Sequence, residues 1–191
     1  MIFLDDNIWD FDLRQALETV SEQRREQALR YRHERDRRLS IAAYRLLQRA
    51  LQQQYGITRL PQFIYDNNGK PSLEGSPSIH FSLSHCREAA ACAVSDQPIG
   101  IDIETLDHYS EEVAAQVMNK TEMHQILSSP APAIAFTRQW TMKESLYKLT
   151  GGENLDTADV KGMLSHADSF DFTTLIFPRY VLTICRMKNE G

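Results

Sequence analysis

The sequence predicts an α+β fold made of two similar halves, each with helices packed on a small antiparallel sheet. Helical periodicity covers residues 13–55 and returns over residues 132–150. Each helical region is followed by residues that alternate between apolar and polar, which is typical of antiparallel strands. Because helices precede strands twice, we expect a pseudo-two-fold arrangement with halves at residues 1–104 and 105–191, although no residue-level repeat accompanies it.

The 191 residues are 42% hydrophobic and 25% charged, an ordinary globular composition. The net charge of −5 argues against non-specific nucleic-acid binding. No apolar run is long enough to span a membrane, and Asp5 and Asp6 stand where a signal peptide carries basic residues. Cys86, Cys92 and Cys185 lack CxxC spacing and are expected to be small buried hydrophobes. We therefore expect a cytoplasmic protein that binds neither nucleic acid nor membranes.

The first helical region carries an apolar stripe at steps of three and four residues, which predicts an amphipathic helix. A glycine, Gly56, is expected to end it. The segment Asp66–Pro71 has the composition of a turn, and residues 72–78 are expected to continue as a loop. The stripe consists of Leu39, Ala42, Ala43, Leu46, Leu47, Ala50 and Leu51.

Alternation begins at His80 and predicts an antiparallel meander of three strands that ends at Glu104. In its last strand the isoleucines point to one face, while Gly100, Asp102 and Glu104 point to the other. A polar linker over residues 105–111 is expected to follow. Beyond it the sequence predicts helices over 111–118, 121–127 and 132–150, and a hairpin over 170–187 that turns at Pro178 and Arg179.

Asp102 and Glu104 are the first candidates for chemistry. Residues two apart on a strand project from the same side, with Cα atoms about 7 Å apart. Their carboxylates can reach one hard cation, and Mg²⁺ prefers oxygen ligands at about 2.0–2.1 Å. The alternative is a solvent-facing strand edge, where acidic residues are common.

Trp140, Glu144 and Lys148 are spaced four apart, so they share one face of the last predicted helix. One interpretation makes Glu144 a third metal ligand or a general base and turns Lys148 toward a phosphate. The other is an ordinary ion pair beside a packed tryptophan, which contributes only a few tenths of a kcal/mol.

Ser84 and His85 end the strand that is expected to pair into the Asp102 strand. An imidazole and a hydroxyl can both hydrogen-bond to phosphate oxygens. A histidine that only bonds to nearby backbone is the alternative.

Taken in order, these segments resemble the surfactin-type 4′-phosphopantetheinyl transferases, from about Ser21 to Leu155. The resemblance implies an enzyme that moves the phosphopantetheine arm of coenzyme A onto a serine of an acyl or peptidyl carrier protein and releases 3′,5′-ADP. The matching segments are Gly69-Lys70-Pro71, Phe81-Ser82-Leu83-Ser84-His85, Gly100-Ile101-Asp102-Ile103-Glu104 and Trp140-Thr141-Met142-Lys143-Glu144 with Lys148.

The resemblance also implies roles for individual residues. Coenzyme A would lie between the halves, with its adenine and phosphates on residues 1–104 and the catalytic helix in residues 105–191. Asp102, Glu104 and Glu144 would hold Mg²⁺. The catalytic residues would be Glu144, Lys148 and His85, and the coenzyme A contacts would be Arg24, Ser40, Gly69, Lys70, Pro71, Ser84, His85 and Lys148.

Further expectations follow from the resemblance. Gln27 stands where the family has a second basic residue for the 3′-phosphate of coenzyme A. The carrier protein is expected to be a small acidic helical bundle. The segment Val117–Met123 resembles the region that precedes the docking helix in this family, and its Met118 and Met123 are either adaptable contacts or part of the core. With both halves in one chain, we expect a monomer.

Other functions remain open at the level of sequence. The same three carboxylates would suit a magnesium-dependent hydrolase that cleaves the pyrophosphate of nucleotides like coenzyme A. A coenzyme A-binding module without turnover is another alternative, although it would need neither Glu144 nor Lys148. A purely structural acidic domain would leave the order of the motifs as coincidence.

Overall fold

The computed structural model describes residues 1–151 and 160–188. The first half contains β1 (Ile2–Asp5), α1 (Leu13–Glu18), α2 (Glu22–Leu29), α3 (Glu34–Tyr55), β2 (Phe63–Tyr65), β3 (Pro71–Leu73), β4 (His80–His85) and β5 (Ala90–Ser95). The second contains β6 (Ile99–Thr105), α4 (Glu111–Val117), α5 (Lys120–Leu127), α6 (Pro132–Thr150), β7 (Phe170–Ile176) and β8 (Tyr180–Met187). The mixture of helices with small antiparallel sheets confirms the α+β class.

The two larger sheets have the same topology. Their strand orders are β1-β5-β4 and β6-β8-β7, and every pairing is antiparallel. In each, a first strand is followed by helices and then by a hairpin whose second strand pairs with the first. The repeated unit is therefore strand, helices, hairpin.

This topology corrects the predicted meander. β6 pairs with β8, not with β5, and places Asp102 opposite Thr183 and Glu104 opposite Val181. The sheets divide between β5 and β6, so the predicted boundary after Glu104 falls inside β6. The error arose because β1 is only four residues long. Alternation in so short a strand is weak, so the sequence alone indicates a unit that begins with helices.

Local signals break the predicted helix of residues 13–55 into three. Asp12 and Ser21 cap α1 and α2 by accepting hydrogen bonds from the backbone N–H three residues on. α3 ends as predicted at Gly56, whose φ of 67° is left-handed. The predicted loop after Asp66–Pro71 begins with a short strand, β3, and the predicted linker after β6 contains a 3₁₀ turn over Leu106–His108.

Helices cover the outer faces of both sheets. The whole apolar stripe of α3 is buried against one face of β5, which presents Ala90, Cys92 and Val94. The other face of β5, with Ala91 and Ala93, packs on the isoleucines of β6. The three cysteines are buried and free, as predicted.

α6 lies directly on β6 and β8. A Cβ atom at Gly100 would lie 1.9 Å from the carbonyl oxygen of Ser145, so only glycine allows this approach. Next to it, the hydroxyls of Thr141 and Thr183 are 2.7 Å apart. Within the described residues, none of the helices combines the length and the hydrophobicity that a membrane crossing requires.

Candidate functional site

Serine side chains join β4 to β6. Ser82 Oγ accepts a hydrogen bond from the N–H of Ile101 at 3.1 Å, and Ser84 Oγ accepts one from the N–H of Ile103 at 3.3 Å. These hydroxyls take the place of strand carbonyls along an edge of β6. The seam brings the end of β4 beside the acidic end of β6.

An ion pair lies at this seam. The Nζ atom of Lys148 is 2.6 Å from Asp102 Oδ1 and 2.9 Å from Ser84 Oγ. The Ser84 hydroxyl donates to the same Asp102 oxygen at 2.8 Å. A hydroxyl has one donor and two acceptor positions, so these bonds and the one from Ile103 use all of its capacity. The Ser84 hydroxyl thus helps to fix the Lys148 ammonium relative to the Asp102 carboxylate.

The other two acidic residues face the same region. Burial raises the pKa of Glu144, and the negative charge of Asp102 raises it further against the opposing effect of Lys148. Burial also raises the pKa of Glu104, although its carboxylate accepts a hydrogen bond from the N–H of Thr105 at 2.7 Å. Three carboxylates therefore repel one another across a small, partly buried space.

The donor set suits Mg²⁺ in kind, because the cation prefers carboxylate oxygens and relieves repulsion among them. In the described part of the chain, however, no three acidic, histidine or cysteine side chains converge closely enough to hold a metal. Asp102 Oδ1 is bonded to Lys148 and Ser84, and Glu104 Oε1 lies 3.2 Å from His108 Nδ1. The carboxylates lie near one another, but in this structure they are not arranged as a set of metal ligands.

A buried cation lies on the first half, at Arg24 of α2. Its guanidinium lies 5.2 Å from the ring centroid of Tyr44 and 5.1 Å from that of Phe63, and Nη1 donates to Ser40 Oγ at 3.2 Å. Among the described residues no carboxylate pairs with it, and Nε has no hydrogen-bond partner. Burial lowers its pKa. A desolvated cation with a spare donor is suited to bind an anion.

One cleft of about 310 Å³ connects this cation with the carboxylates. A smaller cavity of about 220 Å³ adjoins it and shares Pro71, Leu83 and Lys148. The cleft is lined by Arg24, Gln27, Tyr31, Ser40, Ala43, Phe63, Tyr65, Pro71, Leu83, Ser84, His85, Asp102, Ile103, Glu104 and Lys148. Eight residues predicted from the sequence thus share one concavity.

A cavity of similar size, about 320 Å³, lies beside Arg59. There the guanidinium donates to the carbonyls of Glu74 and Gly75 and to Ser76 Oγ. Because these neutral acceptors already hold it in place, Arg59 is a poorer anion site than Arg24. The spare donor of Arg24 therefore makes the cleft a better candidate for the functional site than the cavity beside Arg59.

Three predicted residues stand somewhat apart from the cleft. Gly69 and Lys70 line the smaller cavity, and Lys70 Nζ donates to the carbonyl of Leu149 at the end of α6. Asp66 shapes their turn by accepting from the N–H groups of Asn68 and Lys70, both at 2.9 Å. Glu144 does not line the cleft but interacts electrostatically with carboxylates that do.

His85 lies exposed at the end of β4, on the cleft wall. Loss of hydration in the concave surface lowers its pKa, and the positive charge of Lys148 lowers it further. The neutral imidazole is therefore favoured and can donate one hydrogen bond to a phosphate oxygen.

Sequence reasoning missed the aromatic support of Arg24, because no spacing links Tyr44 on α3 with Phe63 on β2. It also left open the role of Met118, which is 2% exposed and belongs to the core between α4, α5 and α6. Met123 is partly buried against the same core.

Known proteins resemble this chain in sequence. The family model for the 4′-phosphopantetheinyl transferase superfamily matches residues 98–185. The 4′-phosphopantetheinyl transferase psf-1 of Bacillus pumilus is 34% identical over 152 residues, which cover 78% of this chain and 65% of that protein. The match with 4′-phosphopantetheinyl transferase Sfp of Bacillus subtilis (strain 168) is 28% identical and covers 96% of this chain and 89% of the relative.

A third relative comes from a different genus. The 4′-phosphopantetheinyl transferase AcpT of Salmonella typhi is 33% identical over 139 residues, which cover 69% of this chain and 68% of AcpT. The match to the family model includes β6 and α6, the elements that carry the acidic residues and Lys148. The chain therefore belongs to the 4′-phosphopantetheinyl transferase family.

Proposed function

We propose that this protein transfers the 4′-phosphopantetheine arm of coenzyme A onto a serine of an acyl or peptidyl carrier protein. The observation that carries the proposal is one cleft lined both by the buried cation Arg24, which has no carboxylate partner among the described residues, and by Asp102, Glu104 and Lys148. Glu144 interacts electrostatically with these two carboxylates. Coenzyme A has a matching distribution of charge, with a 3′-phosphate on its ribose and a pyrophosphate where the arm begins.

The nucleotide part of coenzyme A would occupy the first half. Arg24 and Ser40 would bind the 3′-phosphate, because Arg24 has no carboxylate partner among the described residues and Nε is a spare donor. Gly69, Lys70 and Pro71 would lie along the adenine. His85 and Lys148 would donate hydrogen bonds to the pyrophosphate, joined by Ser84 if its hydroxyl exchanges Asp102 for a phosphate.

In the transfer, the carrier serine Oγ forms a bond to the β-phosphorus, and the bond from that phosphorus to 3′,5′-ADP breaks. Glu144 takes the serine proton, because a carboxylate has two oxygens, so that one could contact a metal while the other accepts the proton. Such a base typically contributes about 10²–10⁴-fold to a rate. Lys148 offsets the negative charge on the transferring phosphoryl group and on the leaving 3′,5′-ADP.

Mg²⁺ would be held by Asp102, Glu104 and Glu144 and would neutralise the pyrophosphate oxygens. The mutual repulsion of these carboxylates supports this part of the proposal. We further infer a monomer, because a single chain supplies both walls of the cleft.

Mass spectrometry of an apo carrier protein after incubation with coenzyme A and MgCl₂ tests the function. A mass gain of one phosphopantetheine is expected, and it should be absent when the carrier serine is replaced by alanine or when a chelator removes the metal. Release of 3′,5′-ADP without modified carrier would instead identify a hydrolase. Binding of coenzyme A with neither product would identify a non-catalytic module.

A further inference from the structure

Lys143 precedes Glu144 on α6 but takes no part in the cleft. Its side chain is fully buried, with 0% of its surface exposed, between α6, the end of α4 and the start of α5. A buried ammonium is costly unless it is paired and hydrogen-bonded. The hydrogen-bond partners of Lys143 therefore indicate which parts of the structure it stabilises.

Among the described residues, three acceptors surround the Lys143 ammonium. Nζ donates to Glu122 Oε2 at 2.7 Å, to the carbonyl of Val117 at 2.8 Å and to the carbonyl of Val160 at 2.9 Å. An ammonium has three N–H donors, so this geometry provides a partner for each of them. One side chain thus ties α6 to three separate stretches of the chain.

Its partner Glu122 also shapes the start of α5. The same Oε2 atom accepts from the N–H of Asn119 at 2.8 Å, and Asn119 Oδ1 accepts from the N–H of Glu122 at 2.9 Å. This reciprocal capping box is anchored in turn, because Asn119 Nδ2 donates to the carbonyl of Lys161 at 3.1 Å. Loss of Lys143 would therefore loosen the α4–α5 junction as well as α6.

The position of the clamp bears on Glu144. Adjacent residues on an α-helix project about 100° apart, since a turn has 3.6 residues. Holding Lys143 on one side therefore fixes the direction in which Glu144 points. Contact with β6 at Gly100 limits the distance of α6 from the sheet, but the ammonium contacts restrain its rotation.

We propose that Lys143 is a positioning residue for the transfer reaction. Its ammonium sets the direction of Glu144 and holds the α4–α5 junction, residues 117–122, beside it. This inference rests on the proposed function, because it takes Glu144 as the base.

Lys143→Met and the double variant Lys143→Met/Glu122→Gln test the inference. The single variant leaves a buried carboxylate unpaired and is expected to lower thermal stability. The double variant removes both charges and keeps a residue that can close the capping box, so its stability should recover. Lys188→Met, which replaces an exposed lysine far along the chain, is the control for the loss of a positive charge.

Kinetics of the folded double variant separate positioning from simple stabilisation. We expect kcat to fall about 10–100-fold, as misplacement of a catalytic group by about 1 Å can cost 10²-fold. KM for coenzyme A should change less than about threefold, because Arg24 and Ser40 lie on the first half. The control should match the wild type. A double variant with recovered stability and wild-type kcat would overturn the proposal.

Hydrogen exchange gives a readout that does not depend on activity. Amides at the start of α5 should exchange faster in the double variant than in the wild type, while those of α3 should not change. Equal protection of α5 in both proteins would also contradict the inference. Failure of the proposed function would be recognised separately, as a wild-type protein that modifies no carrier.

Discussion

α3 and α6 are the long helices of two sheets with the same topology, but they bury different chemistry. The buried face of α3 is mostly apolar and includes Ile41, Leu47 and Leu51. α6 buries Thr141 and Lys143 as well as leucines. The comparison teaches that one half of the repeat is stabilised mainly by hydrophobic burial, while the other gives up part of that burial for polar groups that bond α6 to β8 and to the α4–α5 junction.

Glu144→Gln is expected to have the largest effect, on the α6 side. Without the proposed base, kcat should fall about 10²–10⁴-fold. Coenzyme A binding with Mg²⁺ present should stay within a few-fold, because the amide has nearly the same shape. Carrier modification by mass spectrometry and calorimetric titration with coenzyme A measure the two quantities. A variant that keeps most of its activity would refute Glu144 as the base.

Leu47→Ala tests the α3 side of the comparison. The side chain is completely buried, so its truncation should lower the free energy of unfolding by about 2–5 kcal/mol. Urea denaturation measures this change. At a temperature where the variant stays folded, kcat should remain close to that of the wild type, since α3 holds no reacting group. A large loss of kcat would contradict the conclusion that α3 supports the fold while α6 carries the catalytic groups.

Arg24→Met sharpens the comparison within the cleft. Hydrogen bonds to charged groups contribute about 1.5–3 kcal/mol, so KM for coenzyme A should rise roughly 10–100-fold. The wild type should prefer coenzyme A to its 3′-dephospho form, and the variant should lose that preference. Arg59→Met is the matched control, because its guanidinium is held by neutral acceptors in another cavity. Unchanged discrimination in Arg24→Met would exclude this arginine as the 3′-phosphate site.

The smallest expected effect is on the pH dependence of stability without divalent metal. Glu104 and Glu144 have raised pKa values in the folded protein, so the folded state binds more protons than the unfolded state between their ordinary and raised pKa values. Stability should therefore decrease as the pH rises through that window. Urea denaturation across the window should show a weaker decrease for Glu104→Gln/Glu144→Gln. A wild-type stability that stays constant or rises with pH across this window would contradict the raised pKa values.

The helices of the second half and the final hairpin were predicted well because their signals are local. α6 begins at Pro132 and ends before Gly151, as the sequence indicates. The partner of β6 could not be predicted, because β8 lies about eighty residues away and alternation alone does not identify a partner. The short β1 was missed for a similar reason, since four residues carry little periodicity.

The candidate site shows the same division between local and long-range information. The order of the motifs was enough to identify the family and to name most residues of the cleft. The aromatic rings around Arg24, the full use of the Ser84 hydroxyl and the burial of Lys143 depend on contacts between distant residues. Spacing along the chain carries no information about such contacts.

By itself, the sequence determined which residue types are available and on which face of a helix or strand they lie, because both follow from periods of 3.6 and 2 residues. Only the tertiary structure decided which of them meet. It joined β4 to β6 through serine hydroxyls and placed the backbone of α6 in close contact with Gly100. The physical reason is that packing and burial, which set the partners and the pKa values of the acidic residues, depend on the whole fold.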